Sequence, residues 1–196
     1  MNAADLHRKA TDEFARRVAG IKDDQWANAT PCTEWDVRAL VNHLVGEQVW
    51  IEPLVTEGLT VPQVGDRFSG DLLGSDPKAA WESAAKSAVT SFSAPGAMVK
   101  TIHLSSRDVP GERYAQEVLC DLIVHSWDLA KGIEANDEID AELVDAAWKL
   151  GVPMLQEWRT LEGIEASFAP PIDTPDGADL QTQLLAYYGR RRDWKP

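Results

Sequence analysis

Cysteine is scarce in this chain: among 196 residues only Cys32 and Cys120 are present. Two thiols do not make a disulfide framework, and they fit a reducing cytoplasm. Long apolar runs are also missing. No stretch approaches the roughly 18 residues needed to span a membrane, and the N-terminus lacks the apolar core of a secretion signal. Basic residues are in deficit, with 19 Lys and Arg against 32 Asp and Glu and a formal net charge of −13. Such a surface is poorly suited to a nucleic-acid backbone or an anionic membrane. The one basic run, Arg190-Arg191-Arg192, reads as a solvated helix end that complements the helix dipole. A Gly-rich phosphate loop, a nucleophile elbow and paired cysteines are all absent, which removes the usual nucleotide-binding and hydrolase signatures.

Tryptophan, by contrast, is abundant at eight residues, an aromatic load that suits a core or a pocket wall. The apolar pattern is helical. Leu6, Ala10, Phe14 and Val18 recur every four residues and predict a first helix over about 4–21. After the break at Ala29-Thr30-Pro31-Cys32, Thr33 is the expected cap of a second helix, with Asp36 completing a capping-box-like start. Val37, Leu40, Val41, Leu44 and Val45 form its stripe as far as about Trp50. Residues 53–75 read as a long loop. Asp76-Pro77 opens a third helix, which carries Trp81, Ala84, Ala85, Ala88 and Phe92 and stops at Ala94-Pro95-Gly96. Met98–Leu104 alternates like a strand without an obvious partner and is expected as an extended connection. A fourth helix spans about Glu112–Lys131, with Gly132 as C-cap. A fifth starts near Asp137 or Asp140, and Pro153 is expected to kink or divide it. A final short helix ends at Gly189. Helices without a sheet predict an all-α antiparallel bundle. It forms one domain over 1–196, with 169–196 as a tail that could wrap it.

The segment Cys120–Leu129 carries the chemistry. On a wheel of about 100° per residue, His125 falls about 60° from Leu122, inside the apolar stripe. Asp121 lies one turn earlier on nearly the same face. A carboxylate and an imidazole at i and i+4 reach a common point, as when a metal takes two ligands from one helix. They also make a plain buried hydrogen bond, and spacing alone leaves both open. His43, at the stripe edge of the second helix, is the candidate third ligand. Two histidines and a carboxylate suit Zn²⁺ with an open position, and also Fe²⁺, Ni²⁺ or Co²⁺. Glu47, one turn after His43, is a candidate second support, substitute ligand or general base. Glu117, His7 and His103 are expected on the surface, and Cys120 as a buried small side chain. Cys32 stands in the turn before the second helix, where a helix N-terminus can lower a thiol pKa.

Thr30-Pro31-Cys32-Thr33-Glu34-Trp35-Asp36-Val37-Arg38-Ala39-Leu40-Val41-Asn42-His43-Leu44 resembles one motif of the mycothiol-dependent maleylpyruvate isomerase N-terminal domain family, within the DinB-like superfamily. Asp121-Leu122-Ile123-Val124-His125-Ser126-Trp127-Asp128-Leu129-Ala130 resembles its second motif. Leu184–Arg190 is similar to the ending of stand-alone actinobacterial members. The resemblance implies a DinB-like four-helix bundle with an additional C-terminal helical segment, and a divalent metal held by His43, Asp121 and His125. The isomerase resembled has Glu where this chain has Asp121, and a further C-terminal domain for which these residues leave no room.

The function expected is therefore that of a metal-binding protein, zinc first, acting with mycothiol or a similar low-molecular-weight thiol. It would be an S-transferase or isomerase for a small electrophilic substrate. A metal-dependent hydrolase and a non-enzymatic, metal-stabilised stress-response bundle are the alternatives. No nucleic-acid or membrane partner is expected. No self-complementary seam stands out, so oligomeric state stays open, a homodimer among the options.

Overall fold

A computed structural model describes residues 1–160 and 169–196. Its helices are α1 (Ala3–Gly20), α2 (Val37–Ile51), α3 (Val61–Val64), α4 (Pro77–Ser93), α5 (Gly111–Gly132), α6 (Ala141–Trp158) and α7 (Leu180–Tyr187). The fold is all-α, a DinB-like four-helix bundle with an additional C-terminal helical segment. α1, α4, α2 and α5 follow one another around the bundle, each packed on the next, and α5 returns to α1. α6 packs outside on α5 and α1, and α7 packs on α6.

Each bundle helix buries the stripe its periodicity supplies. Ala10, Phe14 and Val18 of α1, Leu40, Val41 and Leu44 of α2, and Trp81, Ala88 and Phe92 of α4 are all buried. They meet Leu119, Leu122, Ile123 and Trp127 of α5 in one continuous core. Burial of such area is the main driving term for the bundle. Phe14 and Trp81 touch across α1 and α4, with ring centroids 4.6 Å apart.

The helix ends follow short polar side chains. Asn2, Asp36, Asp76, Asp140 and Asp179 each accept backbone N–H bonds at the start of a helix, which satisfies donors the helix cannot pair internally. Asp36, rather than Thr33, caps α2. The residues before it are held in a turn instead, with Thr30 Oγ1 donating to the Trp35 carbonyl at 2.7 Å and Val37 N–H to the Asn28 carbonyl at 3.0 Å.

Four further expectations need correction. The span 53–75 is not a plain loop: a π-helical stretch Glu52–Glu57 extends α2, and α3 follows. Met98–Leu104 has a partner after all. Thr101–His103 (β1) pairs antiparallel with Asp108–Pro110 (β2), placing Ile102 opposite Val109. A second strand of three residues ending in proline gives almost no sequence signal. Gly132 lies inside α5, and Ile133 is the C-cap. Pro153 does not divide α6, which runs through it to Trp158.

His7 is fully buried rather than exposed. Its Nε2 lies 3.0 Å from Gln48 Oε1 on α2, and its ring meets Phe92 edge-on at 4.8 Å. Burial is the larger influence and pushes its pKa down to about 4. His103 is half-exposed and faces Asp108 across the hairpin at 2.8 Å.

Candidate metal centre

α2 and α5 pack side by side, and this brings His43, Asp121 and His125 to one point. His43 Nε2 lies 3.1 Å from Asp121 Oδ2, and His125 Nε2 lies 3.3 Å from Asp121 Oδ1. One donor atom from each of the three residues falls within 4.8 Å of the others. Two donors about 2.1 Å from a tetrahedral ion are roughly 3.4 Å apart, and each imidazole lies at about that distance from one oxygen of Asp121. The shorter side chain at Asp121, compared with the Glu of the isomerase resembled, still reaches both rings. Hydrogen bonding accounts for the same two distances, so the donor set fits a metal without requiring one.

The rings are held from outside. Trp35 covers both imidazoles, its ring 4.6 Å from His43 and 5.6 Å from His125. His125 Nδ1 faces Asp128 Oδ2 at 2.9 Å. With Nδ1–H donating to Asp128, Nε2 is the ring nitrogen turned to Asp121, where it donates in the absence of an ion and would ligate one after losing its proton. A carboxylate behind a ligating histidine is a recurring support in metal sites.

Asp128 is fully buried and receives Arg190 from the C-terminal segment, Nη2 to Oδ2 at 2.9 Å and Nε to Oδ1 at 3.3 Å. Cys32 Sγ lies 3.2 Å from Asp128 Oδ2 and 2.8 Å from Arg190 Nη2. Arg190 is therefore not a solvated helix end but the cation of an inner ion pair. The sequence reading omitted Asp128, although its place three residues after His125 carries the signal. Arg190 is distant in sequence, and nothing near it announces the contact.

Charges follow the packing. Burial opposes ionisation of Asp121, yet the two imidazoles hold its carboxyl below the usual carboxylate range. Burial likewise opposes charge on His125, but Asp121 and Asp128 raise its pKa well above the ordinary imidazole value. Burial raises the Cys32 thiol, so the lowering that a helix start can produce is not realised, and the hydrogen bond to His125 only partly offsets the rise. Cys120 is buried as expected, its thiol pushed up to about 12 by burial.

The triad forms part of the wall of a cavity of about 1200 Å³. Trp50, Tyr114 and Trp158 give it apolar surface, and Glu47, Glu117 and Arg107 polar surface. Burial, then the neighbouring Asp121 charge, pushes Glu47 up to about 7. Glu117 is not a surface residue. Its Oε1 accepts from Arg107 at 2.6 Å and from Arg113 at 2.8 Å. The volume exceeds that of most small-molecule pockets.

Comparison with known proteins places the chain in a family. Residues 7–130 match the family described as the mycothiol maleylpyruvate isomerase N-terminal domain. The chain belongs to that family. Two uncharacterized proteins of Mycobacterium tuberculosis, from strains CDC 1551 and H37Rv, are each 29% identical to it over 184 residues, covering 94% of this chain and 95% of theirs. No solved structure matches it significantly. Among the described residues, no helix is long and apolar enough to cross a membrane.

Proposed function

We propose that the protein binds one divalent metal ion through His43, Asp121 and His125 and works with a low-molecular-weight thiol of the mycothiol type. It would act as a transferase or isomerase on a small electrophilic substrate. Zinc is the first choice of ion, with nickel, iron and cobalt as neighbours that the same donors suit. The observation that carries the proposal is the convergence of three donor atoms within 4.8 Å at the wall of an open cavity. The family description supplies the thiol.

When bound, the ion supplies Lewis acidity, which lowers the pKa of a thiol or water in its open position. The chain's own residues do the rest. Asp128 fixes the ring of His125, and Trp35 shields one side of both imidazoles from water. Glu47 lines the same cavity one helical turn from His43 and is the general base of this proposal.

The test is a cobalt-substituted preparation. Addition of thiol is expected to produce a sulfur-to-cobalt charge-transfer band, and a screen of electrophiles to give turnover that needs both metal and thiol. His43→Ala is expected to lose both signals. Turnover with water alone would make the protein a metal-dependent hydrolase. Unfolding on chelation, with no thiol-dependent reaction, would leave the ion a structural role.

A further inference from the structure

Sequence places Arg190 and His125 on unrelated elements, yet only one carboxylate separates them. Arg190 leaves α7 through Gly189, whose φ of 75° L side chains rarely adopt and whose Cβ, if present, would fall 2.5 Å from the Ala169 Cβ. That turn is fixed by Arg190 N–H donating to the Leu185 carbonyl at 2.8 Å and Arg190 Nη1 to the Tyr188 carbonyl at 2.9 Å. Leu184, Leu185 and Tyr188 are buried, so the segment is anchored by packing as well. The guanidinium then meets both oxygens of Asp128, with only 10% of the side chain exposed. A planar two-point grip of this kind sets the orientation of a carboxylate, not merely its charge.

Asp128 Oδ2 is also the atom that faces His125 Nδ1. Three of the atoms around it, Arg190 Nη2, Cys32 Sγ and His125 Nδ1, come from three separate parts of the chain. Cys32, His125 and Asp128 form a second group whose donor atoms lie close enough to hold an ion. Arg190 already sits 2.8 Å from the sulfur and 2.9 Å from the carboxylate, so a side-chain cation fills that place.

We infer that Arg190 is a positioning residue for the metal centre, acting through Asp128 on His125, so that docking of the C-terminal segment and metal binding are coupled. The inference rests on the metal reading above and adds to it that α7 and the turn after it complete the site. Coupling of this kind is reciprocal: whatever the docked segment adds to metal affinity, the metal returns as protection of the segment.

The experiment is a thermodynamic cycle on full-length protein. Zinc dissociation constants, from competition with a chelator, are measured for wild type, Arg190→Met, Asp128→Asn and the double variant. Supports behind a ligating histidine typically contribute about 10- to 100-fold in metal affinity. Each single variant is expected to lose affinity in that range, and Arg190→Met is expected to cost no more than about twofold on top of Asp128→Asn. Far-ultraviolet circular dichroism checks that each variant is folded. Wild-type affinity in folded Arg190→Met overturns the coupling and leaves the metal site standing, as does full additivity in the cycle. Wild type that takes up no zinc overturns both proposals.

If Arg190→Met does not fold, hydrogen exchange of wild type decides. The amides of Tyr188 and Arg190 are expected to exchange at least 10-fold more slowly with zinc than without it, beyond any change in α4. Equal slowing of the two regions overturns the coupling.

Discussion

His7 gives the bundle a pH dependence that can be worked out from its surroundings. Its ring is fully buried, its Nε2 faces Gln48 Oε1, and its Nδ1 has no protein partner among the described residues. A second N–H on that ring would be buried without an acceptor. Burial therefore lowers the pKa from 6.5 to about 4. Between those values the unfolded chain binds a proton that the folded chain refuses, so stability falls as pH drops below 6.5. The loss from this residue levels off near pH 4. At 1.36 kcal/mol per decade, it reaches about 2.5 kcal/mol by pH 4.5. His7→Gln removes the titration and keeps a donor for Gln48. The assay is urea unfolding followed by circular dichroism, with chelator present, at pH 7.5 and pH 4.5. Wild type is expected to exceed the variant by about 2.5 kcal/mol more at pH 7.5 than at pH 4.5, at unchanged m-value. A difference that stays constant between the two pH values would refute the argument that burial holds the ring neutral.

Four further outcomes follow from the packing of the site and its frame. Glu47→Gln, at full metal content, is expected to lower thiol-dependent turnover by about 10²- to 10⁴-fold, as loss of a general base does. Because the carboxyl in the folded chain is held above its ordinary range, the same variant is expected to be more stable than wild type at pH 8 when metal-free, read by thermal unfolding. Gly132→Ala puts a Cβ 2.9 Å from Val37 Cγ2 and 3.2 Å from the Ala29 carbonyl oxygen. It is expected to cost about 1–3 kcal/mol in urea unfolding. Cys32 is expected to react with iodoacetamide at pH 7 more slowly than free cysteine, and faster as pH rises, since burial raises its thiol.

Much of this was legible from periodicity and spacing, because those signals are local. The stripe of α1 predicted a helix over 4–21, and it spans Ala3–Gly20. Asp76-Pro77 marked the start of α4, where Asp76 indeed caps Ala79. Asp121 and His125 lie one turn apart on a face that turns to α2, and His43 lies on the α2 face that meets them. What was not legible depends on contacts between distant segments. His7 falls beside the buried stripe of α1, but its partner Gln48 is 41 residues away. Arg190 lies 62 residues from Asp128, and its charged neighbours Arg191 and Arg192 disguise it as part of a solvated run. Glu117 looked like a surface acid because its place on the wheel says nothing of Arg107, which the β1–β2 hairpin delivers. Cys32 was judged by its nearness to a helix start, whereas α2 begins only at Val37 and burial sets the thiol instead.

The metal content of the protein tests the central proposal most directly. Wild type and His125→Ala, purified without a metal-affinity tag, are compared by elemental analysis after exposure to Zn²⁺ or Ni²⁺. The proposal predicts close to one ion per chain in wild type and loss of that ion in the variant. No ion in either protein would contradict it and reduce His43, Asp121 and His125 to a hydrogen-bonded triad in the wall of a cavity.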